Sequence, residues 1–271
     1  MIFDTHAHYD DERFDPDREE VLSTLREKNV GRVVNVGSSM ETSETTLALA
    51  KQHDFVYAAV GVHPDEVRDL SERDIERLRA LCTEYGYRYA ADPLHPGGKK
   101  IVAVGEIGFD YARDDGTPKE IQRKWFVRQL ALSNELDLPV VIHSRDAAQD
   151  TYDVLKEMKT GEDAGIVHCF SYSGEMALRF VELGYSIALG GVVTFKNGRV
   201  AKEVAEAVPD RYLLLETDAP YLAPTPFRGE RNDSSKISYV AEAIAALRGT
   251  DAETILRLTW ENANRIYRIR G

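Results

Sequence analysis

A (β/α)8 barrel in a single domain spanning residues 1–271 is the fold this sequence predicts, on three observations. Short apolar, strand-like runs alternate with amphipathic stretches from one end to the other, the pattern of repeated βα units. Eight such runs occur, spaced at roughly 30 residues per unit. The competing fold, an open doubly wound sheet, would carry a G-x-G-x-x-G turn between its first strand and first helix, and none is present.

The first run is IFDTHAH from Ile2, and Asp15 with Pro16 reads as the cap and first turn of the helix after it. RVVNVGS from Arg32 and VYAAVGVH from Val56 follow, and Ser71 with Asp74 has the spacing of a capping box. The longest irregular stretch, YGYRYAADPLHPGGKK from Tyr85, leads from a helix into IVAVGEIG from Ile101. A helix-to-strand loop belongs on the barrel face opposite the chemistry, which discounts His95 as a ligand. Thr117 with Glu120 reads as a second capping box. PVVIHSR from Pro139, GIVHCF from Gly165, SIALGG from Ser186 and LLLETDA from Leu213 complete the eight.

Composition narrows the function. Hydrophobic residues make up 43% and charged residues 30%, ordinary for a globular chain. No apolar run reaches membrane-span length and no export signal is visible, so a cytoplasmic location is expected. Cys82 and Cys169 are too few for a disulfide framework and are expected to be packing residues. The net charge of -12 argues against tight non-specific binding to duplex nucleic acid. It leaves phosphate-ester chemistry open, because bound cations can dominate the field of their own site.

Five of the seven histidines fall at the carboxyl ends of candidate strands: His6 and His8, His63, His143 and His168. Glu106 ends the fourth strand and Asp218 the eighth, so imidazoles and carboxylates converge on the rim where barrel enzymes work. With side chains alternating along a strand, His6 and His8 share one face and can reach one ion. Val141, His143 and Arg145 share a parity, as do Val104 with Glu106 and Glu216 with Asp218, while Cys169 falls on the helix side. A lone histidine at a strand end is usually a hydrogen-bonded structural residue. Six coordinating groups on one rim are better explained by two ions, one held by His6, His8 and Asp218, the other by His143 and His168, with Glu106 bridging. Nitrogen and oxygen donors suit zinc, magnesium, manganese or cobalt. His63 is left for substrate contact or for capping the GVHP turn.

At these residues the sequence resembles the TatD family of metal-dependent deoxyribonucleases, within the amidohydrolase-like barrels. The motifs are FDTHAH, GVHP, GEIGFDY, PVVIHSRDA, HCFS and ETDAPYL, an ordered set that covers nearly the whole chain. The resemblance implies a metal-dependent phosphodiesterase that removes nucleotides from the 3′ end of DNA, with ligands at His6, His8, Glu106, His143, His168 and Asp218. Two departures are visible: FRGERNDSSK lacks the family's proline, and the loop before the fourth strand is longer than usual.

The expected nucleophile is a water or hydroxide between two ions about 3.5 to 4 Å apart. Asp218 orients it and takes its proton, Glu106 acts with it, and Glu216 orients a ligand histidine. Arg145 and Arg228, with Lys196, Arg199 and Arg231, are candidates to grip phosphate. Phe170, Phe195, Tyr221 and Phe227 are candidates to stack on bases. An amidohydrolase or lactonase with the same ions is the alternative, disfavoured because Glu106 stands where many of those enzymes carry a carboxylated lysine. A non-catalytic binding scaffold would predict a degraded ligand set.

Overall fold

The structure, a computed structural model, describes residues 1–86, 99–113 and 115–269. Its strands are β1 (Ile2–Ala7), β2 (Val30–Val36), β3 (Val56–Val60), β4 (Ile101–Asp110), β5 (Val140–Arg145), β6 (Gly165–Val167), β7 (Tyr185–Leu189) and β8 (Leu213–Leu215). They pair in parallel in sequence order. Between them run α1 (Arg18–Leu25), α2 (Met40–Gln52), α3 (Glu72–Tyr85), α4 (Lys119–Glu135), α5 (Ala148–Met158), α6 (Gly174–Glu182) and α7 (Arg199–Ala207). The last strand is followed by two helices, α8 (Ile237–Arg248) and α9 (Ala252–Ile266). The architecture is the expected (β/α)8 barrel. Among the described residues no helix is long and apolar enough to cross a membrane.

Two apolar layers follow from the alternation of side chains. Val140 and Ile142 pack outward with helix residues such as Leu78 and Phe126. Val141, Ile166, Ala188 and Leu214 pack inward with Phe3, Val34 and Val102. Tyr267 and Ile269, after α9, belong to this inner layer, and the Tyr267 hydroxyl donates to the Thr5 carbonyl (2.8 Å). The parity expected for β4 fails: Val104 lies in the outer layer with Ile107, while Glu106 faces the site. The cause is a register irregularity between Val104 and Ile107 where β4 pairs with β5, and such a break interrupts the period of two.

The capping expectations divide. At α3 the Ser71 amide and hydroxyl both donate to Asp74 (2.9 and 2.6 Å), as the spacing predicts. Thr117 does not cap α4, because Pro118 takes that position; the Thr117 hydroxyl donates instead to the Asp65 carbonyl (3.1 Å). Asp15 and Pro16 do not open α1 either. Asp15 closes a single 3-10 turn over Glu12–Phe14 and accepts from Arg18, and α1 begins after Asp17. His95 and most of the stretch from Tyr85 lie outside the described residues; Gly86 bridges Ile101 at the amino end of β4.

The barrel closes between β1 and β8 by few backbone contacts. Ala7 bridges Ala219, His8 N–H donates to the Ala219 carbonyl (2.7 Å), and Asp218 N–H donates to the His6 carbonyl (2.9 Å). The buried Asp4 carboxylate completes the seam. One oxygen accepts from the His6 and Thr217 amides (3.2 and 3.0 Å), the other from the Thr217 and Ser234 hydroxyls (2.5 and 2.7 Å).

Asn keeps an oxygen for the two amides but is a poorer substitute, since its amide nitrogen turns the Thr217 and Ser234 hydroxyls from donors into acceptors. Asp4→Asn should cost about 2–4 kcal/mol of unfolding free energy. Denaturant titration with an unchanged m-value would show this, and a loss below about 0.5 kcal/mol would mean that the seam does not depend on the carboxylate.

Candidate metal centre

The strand ends deliver the candidate side chains to one point. From β1, His6 and His8 converge with their Nε2 atoms 3.1 Å apart. His8 Nδ1 lies 2.8 Å from the Val36 carbonyl; donating there fixes the tautomer and leaves the Nε2 lone pair aimed at the centre. Asp218 Oδ1 stands 3.4 Å from His8 Nε2 and 3.8 Å from His6 Nε2. Asp218 lies past the end of β8 in a left-handed conformation (φ 55°), which turns its side chain back toward β1.

Glu106, on β4, is the shared member. Its Oε2 faces the first pair, 3.5 Å from His6 Nε2 and 3.9 Å from His8 Nε2. Its Oε1 lies 2.8 Å from both His143 Nδ1 and His168 Nε2, which are 3.2 Å from each other. A glycine allows this approach: Gly108 has φ +148°, and a Cβ there would meet the His143 carbonyl at 1.9 Å.

Two donor sets, His6 with His8 and Glu106, and Glu106 with His143 and His168, are each compact enough for a metal ion. The chemistry of the donors fits a divalent cation: all are nitrogen or oxygen, and their imidazole nitrogens face one another at distances that need a proton or a cation between them.

The electrostatics agree. Burial alone would depress the His8 imidazole, yet the Asp218 carboxylate overrides it and holds the pKa up at about 10. Burial opposes charge at His143 too, but Asp110 and Glu106 raise it to about 9. Glu106 lies well below the usual carboxylate range despite its burial, because His168 and its other imidazole neighbours favour the anion. His6 is pushed down to about 4 by burial and by His168. Glu216 is pushed up to about 8 by burial.

Around this centre a polar cavity of about 710 Å³ opens, lined among others by His63, Asp65, Asp110, Arg113, Arg145 and Tyr221. His63 packs edge-on against His143 (4.2 Å between ring centres), with Nε2 3.7 Å from Glu106. Arg145 is exposed at the end of β5 and faces this cavity. Arg228 is not part of the lining; its guanidinium lies over the Phe195 ring at 4.3 Å. Arg231 pairs with Asp17, Arg199 with Glu203, and Lys196 is exposed. Of the aromatic candidates only Tyr221 lines the cavity; Phe227 packs on Tyr239, and Phe170 and Phe195 are buried.

Glu216 does not hydrogen-bond a histidine: its Oε1 is 3.8 Å from His168 Nδ1 and accepts instead from the Cys169 amide (2.5 Å). Cys82 is buried, whereas Cys169 is half-buried at φ 43°, past the end of β6. The residue that sequence reasoning missed is Asp110, whose Oδ2 lies 3.0 Å from His143 Nε2. Its signal was the aspartate of GEIGFDY, four residues after Glu106 and of the same parity, hidden by ending the strand at Gly108.

The family model described as TatD related DNase matches residues 3–268. A Bacillus subtilis protein named metal-dependent hydrolase YabD is 41% identical, over 99% of this chain and 100% of its own. A Dickeya dadantii protein named 3′-5′ ssDNA/RNA exonuclease TatD is 32% identical, over 98% of each chain. The crystal structure of YjjV, a TatD homologue from Escherichia coli, superposes with a TM-score of 0.86 at 33% identity, covering 99% of this chain and 98% of that one.

Protons and cations must compete at this site. At pH 7 the metal-free protein holds protons on His8 and His143, whose pKa values of about 10 and 9 lie above the ordinary 6.5. Metal loading at pH 7 should therefore release protons, and affinity should climb by up to about tenfold per pH unit per displaced proton, until about pH 9 for the proton of His143 and about pH 10 for that of His8. By the same linkage, the stability these imidazolium groups lend the metal-free protein is full below pH 6.5 and fades as pH rises through 9 to 10. Calorimetry in buffers of differing ionisation enthalpy measures the release; pH-independent affinity from 6.5 to 9 would contradict it.

Proposed function

The chain belongs to the TatD related DNase family and is a metal-dependent hydrolase acting on ester bonds; from that premise we propose that it is a nuclease removing nucleotides from the 3′ ends of single-stranded DNA. The observation that carries the reading is the division of Glu106, one oxygen toward His6 and His8 and the other toward His143 and His168. It supports two divalent ions, one held by His6, His8 and Asp218, the other by His143 and His168, with Glu106 between them. The polarity and the single-stranded substrate rest on the name of the Dickeya dadantii relative.

When bound, such ions act as Lewis acids that make water nucleophilic at neutral pH and offset charge developing on phosphoryl oxygens. The protein supplies the rest. Asp218, held below its ordinary pKa by His8 and His6 despite its burial, is an anion at pH 7 and accepts the proton of the attacking water. Asp110 keeps His143 turned so that Nδ1 points at Glu106. Arg145, at the cavity wall, pairs with a non-bridging phosphate oxygen, and His63 borders the space beside His143. Glu106 is at once a ligand and a fixed charge at the reacting centre.

End-labelled single-stranded DNA incubated with metal-loaded protein tests the activity. Cleavage should proceed from the 3′ end, stop with chelator, and fall by about 10²–10⁴ in kcat for Asp218→Ala. Chelator-resistant cleavage, or full activity in the variant, would sink the mechanism.

The metal assignment has its own test. Elemental analysis of a His143→Ala/His168→Ala variant should find one ion fewer per chain than in the parent. Unchanged stoichiometry would remove the second ion from the reading.

A further inference from the structure

Next to the metal centre lies a second cavity, of about 290 Å³, to which hydrolysis as derived above gives no occupant. Its walls are mostly apolar, and the apolar side chains come from three neighbouring rim loops: Phe170 beyond β6, Leu189, Val192 and Val193 at and after β7, Val200 in the first turn of α7, and Leu222 beyond β8. Asp218 lines this cavity and the polar one alike, so the two meet at the carboxylate that faces the attacking water.

Size and lining restrict what fits. The volume is at the lower limit of ligand pockets, roughly 300 Å³, enough for one ring system and too small for a stretch of polymer. A sugar would leave its hydroxyls unpaired against valine and leucine walls. Polar side chains stand among the apolar ones: Ser171, Thr217 and Asp218, the exposed Asn197 and Arg199, and the fully buried Glu216, whose Oε2 has no hydrogen-bond partner among the described residues. Apolar walls with a few polar groups suit a flat heteroaromatic ring, which buries its faces and satisfies its edge.

We propose that this cavity receives the base of the nucleotide being released. The inference rests on the nuclease reading: when the scissile phosphate lies beside Asp218, the base of the leaving nucleotide is one sugar away, within reach of a cavity that shares that carboxylate. The cavity then makes the protein a reader of terminal nucleosides, with the phosphate held at the polar cavity and the base in the apolar one. Because the walls are mostly aliphatic, the preference is for any base over none.

The test compares equilibrium binding of thymidine 5′-monophosphate and 2-deoxyribose 5-phosphate, which lacks the base, to the magnesium-loaded protein by calorimetry. The nucleotide should bind at least about tenfold tighter. Val200→Trp fills the cavity from a half-buried position and should abolish that advantage; Val192→Trp, from a half-buried position after β7, fills it should the first variant not fold. Equal affinity of the two ligands for the parent protein, or an advantage that survives in a folded filled variant, would overturn the proposal. Failure of the nuclease reading looks different. Uncut DNA with the base-dependent affinity intact would remove the nuclease and keep the cavity, and cut DNA without that affinity would do the reverse.

Discussion

Closure of the barrel between its first and last strands is the constraint on which the site depends. His6, His8 and Asp218 come from opposite ends of the chain, and their separations of 3.1 to 3.8 Å exist only if β1 and β8 lie side by side. Backbone pairing at this seam is sparse, and Asp4 does the work of a longer ladder. It lies two residues before His6, and its partner Thr217 directly precedes Asp218, so one carboxylate fixes the register of both strands. Asn232 extends the network by donating to the carbonyls of Thr217 and Tyr221, tying the last rim loop to the seam. Structure and function share these residues because the same contacts close the barrel and set the ligand spacing.

The centre is also a concentration of buried charge that would be costly if any member stood alone. Removing one partner of a buried ion pair leaves an uncompensated charge, a penalty of about 3–5 kcal/mol. Here Glu106 meets His6 and His8 on one oxygen and His143 and His168 on the other, while Asp218 answers His8 and Asp110 answers His143. Gly108 matters for the same reason, since a side chain there would push β5 off β4 and part Glu106 and Asp110 from His143. The protonated imidazoles of the metal-free protein and the cations of the loaded one are two solutions to one problem, neutralising a carboxylate cluster away from water.

Much of this was legible in the sequence. Eight apolar runs at regular spacing gave the barrel, and the clustering of histidines at strand ends brought His6, His8, Glu106, His143, His168 and Asp218 to one rim, where the distances now place them. What was not legible has physical causes. Parity reasoning failed at Val104 because a register irregularity interrupts β4, and nothing in the residue types announces it. Thr117 and Asp15 carry capping chemistry, but other partners compete for them, the distant Asp65 carbonyl for Thr117 and the local Arg18 for Asp15. Arg228 follows the eighth strand as a phosphate-gripping residue should, yet its guanidinium rests on Phe195; sequence position cannot tell a rim arginine that faces the cavity from one that packs beside it. Asp110 was lost to a strand boundary drawn two residues short.

The charges around the polar cavity bear on the form in which a polyanion can approach. Asp10, Asp11, Glu12 and Asp65 line it together with Arg113 and Arg145, and Arg113 is itself engaged with Asp115. A duplex laid across this rim would bring several phosphates against carboxylates within one Debye length, about 10 Å, with little counterion release to repay it. A flexible strand end presents one phosphodiester at a time and can thread it past the acidic rim to the cations and Arg145. The acidic rim and the net charge of -12 therefore work together under the nuclease reading: they repel the body of a nucleic acid and leave attraction only where the bond is cut.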